Sequence, residues 1–332
     1  MDGGARKGSK MNAKMAMVWM LVAGLWVAGA RGQEDFPSNM DRGAKGIDPT
    51  EGYPFVLSGL DWNSNGNVTL RFTALAGMGY EIEGTTSIGD DWIHVDSWMS
   101  DTNGEAEVTV EPYGARFFRI AFAGEGGEVL SANALGYTTC VIPAGGKQMV
   151  SFPFANPASD DGGFRFGETQ MARDLPVGSV VYFWDGERQS WNGGMKSAFG
   201  WDPAEGNHVL QPGEGICVLN PTDADVEVVV AGEVPSDSSL IRPYAGDNKW
   251  CVMANPYPVD AKFGDTKLAS QLRRSSMVRF WEPESQRWFY GTKNSKGWPA
   301  ALANRTLECG EAFFIQTDDE GIWETMKPYI WP

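Results

Sequence analysis

The second half of this 332-residue chain is a duplicated segment, and the duplication limits the folds that the chain can adopt. Each copy needs its own hydrophobic core, and a residue kept in both copies more often serves the module's fold than a unique site. We place copy 1 at residues 134–232 and copy 2 at 233–332. The matching residues lie 97 apart and include Phe166 and Phe263, Phe183-Trp184 and Phe280-Trp281, Gln189 and Gln286, Trp191 and Trp288, Trp201 and Trp298, and Gly213-Glu214 and Gly310-Glu311.

Upstream of these pairs the spacing changes, because Ala155-Asn156-Pro157 returns as Ala254-Asn255-Pro256, 99 residues later. A two-residue difference in the loop that contains Asp160 and Asp161 explains this change. Each copy is predicted to hold a strand before its Asn-Pro, a short helix and further strands, in a barrel or sandwich arrangement. In copy 1 the helix is expected at 169–175 and the later strands at 181–184, 215–219 and 226–230.

A separate module precedes the repeat, at residues 53–124. Short alternating or β-branched runs are separated there by glycine and asparagine, which is typical of an antiparallel β-sandwich. Asn65-Gly66 and Asn103-Gly104 are predicted to form tight hairpin turns between successive strands. Since the whole chain holds 41 Gly and 19 Pro, many short strands are favoured over long helices, and the predicted fold class is mainly all-β.

The order of motifs in this first module resembles a fibronectin type III module. The motifs are VTLRF at 68–72, GYEIE at 79–83, Asp91-Trp92 and RFFRI at 116–120. The repeat is similar to a module of uncharacterised exported proteins of planctomycetes and verrucomicrobia, through Asn156-Pro157, Phe183-Trp184-Asp185 and Pro212-Gly213-Glu214-Gly215. Copy 2 departs from that pattern with Glu282, Cys309 and Ala312. Both resemblances imply a fold much more than an activity.

Residues 1–30 are predicted to be a signal peptide. Lys10 and Lys14 precede an apolar stretch that ends in Ala28-Gly29-Ala30, a small-x-small pattern that signal peptidases accept. The true start is either Met1 or Met11, and 31–52 are expected to form a flexible linker. The stretch is shorter than the ~20 residues of a spanning helix, so we expect an exported, periplasmic or extracellular protein without a permanent membrane span.

The net charge of −16 makes nucleic acids and anionic membranes unfavourable partners, because like charges repel. The partners that we expect are polysaccharides or other envelope proteins.

The cysteines Cys140, Cys217, Cys251 and Cys309 lie two in each copy. Export permits disulfides, and four cysteines allow three full pairings, of which Cys140–Cys217 with Cys251–Cys309 is preferred because it keeps each bond within one copy. Free buried thiols are the alternative, because none of the four recurs at the matching position of the other copy. CxxC spacing is absent, which disfavours a zinc or redox site.

Asp61-x-Asn63-x-Asn65-Gly66 matches the opening of a calcium loop. The twelfth position of that loop holds Phe72 in place of the bidentate glutamate, so a plain Asn-Gly hairpin is favoured.

The sequence contains no recognisable catalytic constellation. His94 and His208 are the only histidines, and they lie in different modules. The carboxylates Asp185, Glu214, Glu282 and Glu311 would suit glycoside hydrolysis, but their recurrence in both copies favours a structural role such as turn capping. No catalytic residue, metal site or cofactor is predicted.

Six tryptophans recur between the copies and are the candidate ligand-binding residues: Trp184, Trp191, Trp201, Trp281, Trp288 and Trp298. Indoles serve both cores and sugar platforms, and packing in a core or between modules is favoured here. The expected function is a noncatalytic secreted or cell-envelope protein that acts as a scaffold, spacer or adhesion module. The alternatives are carbohydrate binding through these tryptophans and, third, a glycoside hydrolase.

Overall fold

The computed structural model describes residues 56–124, 127–159 and 161–330. The predicted signal peptide and linker lie outside the described residues. The described chain is mostly antiparallel β-structure with a few short helices, which confirms the mainly all-β prediction.

The first module and the segment that follows it, up to Leu130, contain seven strands in two sheets. Strands β1, β2 and β5 form one sheet, and β6, β3 and β4 belong to the other, with β7 paired to β6. The inner faces enclose a core that includes Phe72, Tyr80, Ile82, Phe118 and Ile120. The strands are β1 (Leu57–Trp62), β2 (Val68–Ala74), β3 (Gly79–Thr85), β4 (Ile93–Met99), β5 (Gly104–Val110), β6 (Phe117–Gly124) and β7 (Gly127–Leu130).

One of the two predicted hairpin turns is confirmed and the other is wrong. The turn at Asn65-Gly66 joins β1 to β2, which pair as antiparallel neighbours, and Gly66 has a φ of 85°. Asn103-Gly104 instead leads from β4 in one sheet to β5 in the other. The Asn103 side chain accepts a hydrogen bond from the Ala76 amide, so this asparagine holds a connection between sheets.

Copy 1 shares two strands with the sandwich. Its first strand β8 (Leu135–Ile142) pairs with β6 on one edge and with its last strand β15 (Val226–Glu233) on the other. Because strand residues alternate between faces, Tyr137 and Val229 enter the core of the first module, while Val228 and Val230 enter the core of copy 1. The two modules are thus joined by a continuous sheet.

Side chains of copy 1 also clamp the first strand of the sandwich. Gln170 accepts a hydrogen bond from the Trp62 amide (2.9 Å) and donates one to the Trp62 carbonyl (2.6 Å). Asp61 forms ion pairs with Arg71 and Arg173. Asp61, the carboxylate of the calcium-loop motif, therefore has two arginine partners. The loop itself is the Asn-Gly hairpin that the sequence favoured.

Each copy is built on a four-stranded antiparallel sheet with a short helix against it. In copy 1 the strand order is β12 (Ser190–Met195), β11 (Val180–Asp185), β14 (Glu214–Leu219) and β9 (Lys147–Phe152). In copy 2 it is β20 (Arg287–Thr292), β19 (Met277–Glu282), β22 (Ala312–Thr317) and β17 (Lys249–Ala254). The helices Gln170–Asp174 and Lys267–Gln271 begin after Thr169 and Thr266, whose hydroxyls accept the amide hydrogens of Ala172 and Ala269. These elements confirm the helices and strands predicted for the copies.

The remaining elements complete the two copies. Copy 1 contains β9 (Lys147–Phe152), β10 (Phe164–Arg165), a 3-10 turn (Phe166–Glu168), β11 (Val180–Asp185), β12 (Ser190–Met195), a helix (Pro203–Gly206), β13 (Val209–Leu210) and β14 (Glu214–Leu219). Copy 2 contains β16 (Ser239–Tyr244), β17 (Lys249–Ala254), β18 (Ala261–Lys262), a 3-10 turn (Phe263–Asp265), β19 (Met277–Glu282), β20 (Arg287–Thr292), a helix (Ala300–Ala303), β21 (Thr306–Leu307), β22 (Ala312–Thr317) and β23 (Gly321–Met326).

The sheets of the two copies pack face to face. The residues between them, which we call the inter-copy cluster, come from both sheets: Met149, Tyr182, Trp184, Trp191, Cys217, Trp250, Val252, Ala254, Trp281, Trp288, Ala312 and Phe314. At Gly215 the sheets approach so closely that an added Cβ would lie 2.4 Å from the Ala312 Cβ. Gly215 and Ala312 occupy matching positions of the repeat. Because copy 1 has glycine there, the Ala312 methyl group fits between the sheets, whereas alanine in both copies would bring two methyl groups into collision.

We expect Gly215→Ala to destabilise the protein by about 1–3 kcal/mol, because the added methyl overpacks the inter-copy cluster. Gly79→Ala, in a strand where an added Cβ meets nothing within 4 Å, is the matched control. Urea unfolding of both variants measures the difference. Ala312→Gly in the Gly215→Ala background should recover part of the loss, and equal stabilities of the 215 and 79 variants would contradict this packing.

Candidate functional site

The hairpin between β11 and β12 carries retained side chains that clasp copy 2. The Trp184 indole donates a hydrogen bond to the Trp250 carbonyl at 2.9 Å. Gln189 donates to the same carbonyl (3.1 Å) and accepts the Trp250 amide hydrogen (2.7 Å). Both backbone polar groups of this residue on edge strand β17 are therefore satisfied by side chains of copy 1.

Copy 2 makes the same clasp in the opposite direction. The Trp281 indole donates to the Lys147 carbonyl at 2.7 Å, and Gln286 donates to that carbonyl (3.0 Å) and accepts the Lys147 amide hydrogen (2.7 Å). The copies therefore contact each other reciprocally, as two subunits related by a two-fold axis do. We call the two sets of bonds the reciprocal clasp.

The glutamines of the clasp hold an unusual backbone conformation. Gln189 and Gln286 both have a φ of 53°, in the left-handed region that few non-glycine residues occupy. That conformation costs of order 1 kcal/mol or more, and it persists only where the surrounding contacts enforce it. Both copies show this conformation because the clasp contacts hold it. Each clasp joins five hydrogen-bonding groups, namely an indole N–H, the two polar atoms of the glutamine amide, and the backbone N–H and carbonyl of the opposite copy.

The clasp corrects the alignment of the two copies upstream of the helix. It makes Trp250 the counterpart of Lys147, whereas the spacing of 99 would have paired Lys147 with Gly246. The matching of Asn156 with Asn255 holds, since each side chain accepts an amide hydrogen two residues later. The matching of Ala155 with Ala254 is wrong, because the pairing of Ser151 with Gly215 and of Ala254 with Ala312 makes Ser151 the counterpart of Ala254. Copy 1 carries extra residues after Ser151, including the buried Phe152 and Phe154, before its Asn-Pro.

The inter-copy cluster also takes up Trp191 and Trp288. Both rings lie edge-on to Phe314, at 5.6 Å between centroids, and each also contacts the clasp tryptophan of its own hairpin. Such edge-to-face pairs add roughly 0.5–1.5 kcal/mol beyond the burial of their area. These four indoles therefore pack between the copies, and they remain partly exposed.

Trp201 and Trp298 lie inside their own copies. Each indole donates to a helix carbonyl, that of Ala172 or Ala269, and stacks edge-on to the buried Phe166 or Phe263. Beside them, Lys196 and Lys293 each donate hydrogen bonds to three carbonyls at the end of the same helix. Sequence reasoning missed these lysines, although their spacing of 97 identifies them as a retained pair.

The retained glutamates cap turns, as the structural interpretation predicted. Glu214 accepts the amide hydrogen of Gln211 (3.1 Å), and Glu311 accepts that of Glu308 (3.2 Å). Asp185 accepts two amide hydrogens of the β11–β12 turn, and Glu282 accepts a hydrogen bond from the Ser285 hydroxyl. The four carboxylates that would have suited hydrolysis thus each bind groups of their own turn.

Each glutamate also faces a basic side chain that stacks on a phenylalanine. In copy 2, Arg305 lies 4.6 Å from the Phe280 ring and pairs with Glu311 at 2.5 Å. In copy 1, His208 stacks on Phe183 at 3.8 Å between centroids, with its Nε2 3.8 Å from Glu214 Oε1. His94 is far from this arrangement in sequence, on exposed strand β4, where it contacts Ser97.

The four cysteines are free in the structure, so the predicted disulfide pairs are not formed and the free-thiol alternative is the one observed. Cys140 packs against the core of copy 1, whereas Cys217 points into the inter-copy cluster. Cys251 packs against the core of copy 2, and Cys309 lies beside Thr138 of β8. Burial raises the pKa of Cys140, Cys217 and Cys309 to about 11, which makes these thiols poor nucleophiles.

Two neighbouring clefts lie between β8 and the loop that precedes β22. The larger, of about 560 Å³, is lined by Trp281 and by carboxylates of copy 2 that include Glu282, Glu308 and Glu311. The smaller, of about 440 Å³, is lined by Trp62 and Tyr137, whose rings lie 4.6 Å apart. Of the six retained tryptophans, Trp281 alone borders these two clefts.

A comparison with protein-family models finds none that matches the chain, and a comparison with curated proteins finds no significant relative. Among the described residues, no helix has the length and apolar character needed to cross a membrane.

We expect Gln189→Ala and Gln286→Ala each to destabilise the protein by about 1–3 kcal/mol, because each leaves a backbone amide of an edge strand without its partner and removes one of the two hydrogen bonds to the carbonyl of the same residue. Gln316→Ala, which removes one hydrogen bond to the Asn248 carbonyl, is the control and should cost less. Chemical unfolding measures all three variants. If the two clasp variants were no less stable than the control, the clasp would not join the copies.

Proposed function

We propose that this chain is a noncatalytic exported protein of the cell envelope, whose three modules form one rigid scaffold. The observation that carries the proposal is that the residues retained in both copies make structural contacts. Trp184, Trp281, Gln189 and Gln286 bind the opposite copy, and Trp191 and Trp288 pack between the copies. The other retained side chains fill the cores of their own copies or cap turns and helices there.

Rigidity supports this role, because the three modules share sheets and cores. Strands β8 and β15 belong to copy 1 and to the sandwich sheet at once, and the inter-copy cluster joins copy 1 to copy 2. Domains linked by flexible segments move relative to one another, whereas large apolar contacts hold them in one arrangement. A scaffold or spacer needs a fixed distance between its ends, and shared strands and cores provide it.

The chemistry of the retained glutamates also supports a noncatalytic role. Glu214 and Glu311 each use one carboxylate oxygen to cap a turn and hold the other towards His208 or Arg305. A glycosidase needs two carboxyl groups facing one another across a sugar site. In this chain the two glutamates are instead equivalent positions of two copies, each engaged in its own turn.

We expect the purified exported chain to give no turnover in a screen of glycoside and peptide substrates. Turnover that disappears in Glu214→Gln or Glu311→Gln protein, but survives in the exposed-site control Glu227→Gln, would overturn the noncatalytic assignment.

Affinity electrophoresis against polysaccharides tests the carbohydrate-binding alternative. We expect unchanged mobility in every gel. Retardation that Trp191→Ala and Trp288→Ala abolish would replace the scaffold proposal by carbohydrate binding. The circular dichroism spectra of these variants establish that the loss does not come from unfolding.

A further inference from the structure

The repeat places a titratable residue where its other copy has a permanent cation. Arg305 and His208 occupy matching positions, each over a phenylalanine ring and each beside the glutamate that caps the following turn. Arginine stays charged at every physiological pH, while an imidazole gains its charge between about pH 8 and pH 5. One copy therefore has a constant ion pair and the other a pair that depends on pH.

Two groups beside His208, the Phe183 ring and the Glu214 carboxylate, attract positive charge. Its ring stacks on Phe183 with planes 21° apart, and a cation over an aromatic ring is attracted by the ring's electrons. Its Nε2 is buried without a hydrogen-bond partner, 3.8 Å from Glu214 Oε1. That distance is too long for a hydrogen bond but short enough for an ion pair, so protonation would give this nitrogen an attractive partner.

Glu214 is ionised and stands at the boundary between the copies. Burial acts to raise the pKa of Glu214, but His208, the Gln211 amide and the charge of Arg242 outweigh it and lower the pKa below its ordinary value. Arg242 comes from β16 of copy 2. The carboxylate of copy 1 thus lies beside a histidine of copy 1 and is influenced by the charge of an arginine of copy 2.

The strand pairing shows that the counterpart of Arg242 is uncharged. Arg242 pairs with Trp323, and Ile142 pairs with Val226, the residue that matches Trp323. Ile142 is therefore the counterpart of Arg242. The charge of Arg242 acts on Glu214, whereas the matching position offers Glu311 an isoleucine, and the permanent cation beside Glu311 is Arg305.

We propose that His208 and Glu214 form a pH-sensitive contact at the junction of the two copies, which strengthens when His208 takes up a proton. Charged residues near this pair also include Glu205, whose carbonyl accepts the His208 amide hydrogen, Arg165 on neighbouring β10, and Arg242, whose charge acts on Glu214. At about pH 8 an imidazole is largely uncharged, and the charge that attracts Glu214 is that of Arg242. In mild acid the imidazolium adds a second attraction to Glu214 and reproduces the arrangement of Arg305.

Thermal unfolding of the full chain at pH 8.0 and pH 5.5 tests the proposal with His208→Gln, which has no charge at either pH. We expect the melting temperature of the wild type, relative to that of His208→Gln, to rise by roughly 2–4 °C between the higher and the lower pH. His208→Arg should keep its advantage over His208→Gln at both pH values. The only other histidine gives the control, since wild type and His94→Gln should differ by the same amount at both pH values.

The glutamate provides a second test that keeps His208 in place. In a Glu214→Gln background, the substitution His208→Gln should have the same effect at pH 8.0 and pH 5.5, because the imidazolium has lost its partner. A difference between wild type and His208→Gln that does not change with pH would overturn the proposal. So would a pH-dependent difference that persists in the Glu214→Gln background.

Discussion

The reciprocal clasp is the interaction on which the arrangement of the two copies depends. Each clasp gives both backbone groups of an edge-strand residue, Trp250 or Lys147, partners from the opposite copy. Edge strands expose unpaired backbone groups and tend to pair with other chains, so a side-chain clasp also closes two edges that would otherwise be open. The inter-copy cluster lies between the clasps, and its aromatic rings fill the space that the clasps enclose.

The two copies have different residues at positions where their near two-fold symmetry brings matching residues into contact. Gly215 faces Ala312 because two methyl groups would collide there. Phe314, whose counterpart is Cys217, contacts three of the four indoles between the copies and also the ring of Trp250. A contact between identical surfaces must be self-complementary, whereas a duplicated chain can make the two sides different. Copy 2 departs from the motif of copy 1 by having Ala312 in place of glycine, and this departure is part of the complementarity between the two sheets.

The local elements of the fold could be predicted from the sequence, whereas their assembly could not. Apolar residues one helical turn apart, Met171 with Leu175 and Leu268 with Leu272, predicted the helices. Asn65-Gly66 predicted a hairpin, and all these signals act over a few residues. The joining of β15 to the sandwich sheet and the passage from one sheet to the other at Asn103-Gly104 depend on pairing between distant strands. The Phe183-Trp184 pair did contain a non-local signal, since both faces of that strand are apolar and the second face needed a partner.

For the candidate site, the recurrence of residues predicted which positions matter but not what they contact. The retained glutamates were expected to cap turns and do so, because capping is local. The contacts of Trp184 and Gln189 with Trp250 were not foreseeable, since Trp250 has no recurring partner at the spacing of 97 and its counterpart is a lysine. Trp184 and Gln189 bind only the backbone N–H and carbonyl of residue 250, so this contact does not require a particular side chain at that position.

Hydrogen exchange in the native full chain tests most directly the central claim that the two copies form one rigid unit. The indole N–H groups of Trp184 and Trp281 and the amides of Lys147 and Trp250 all lie in the clasps. If the copies separate only when the protein unfolds, these four groups will be protected to the same extent as the amides of the central strands β14 and β22. Exchange of the clasp groups that is much faster than that of β14 and β22 would show that the copies open independently, and would contradict the account.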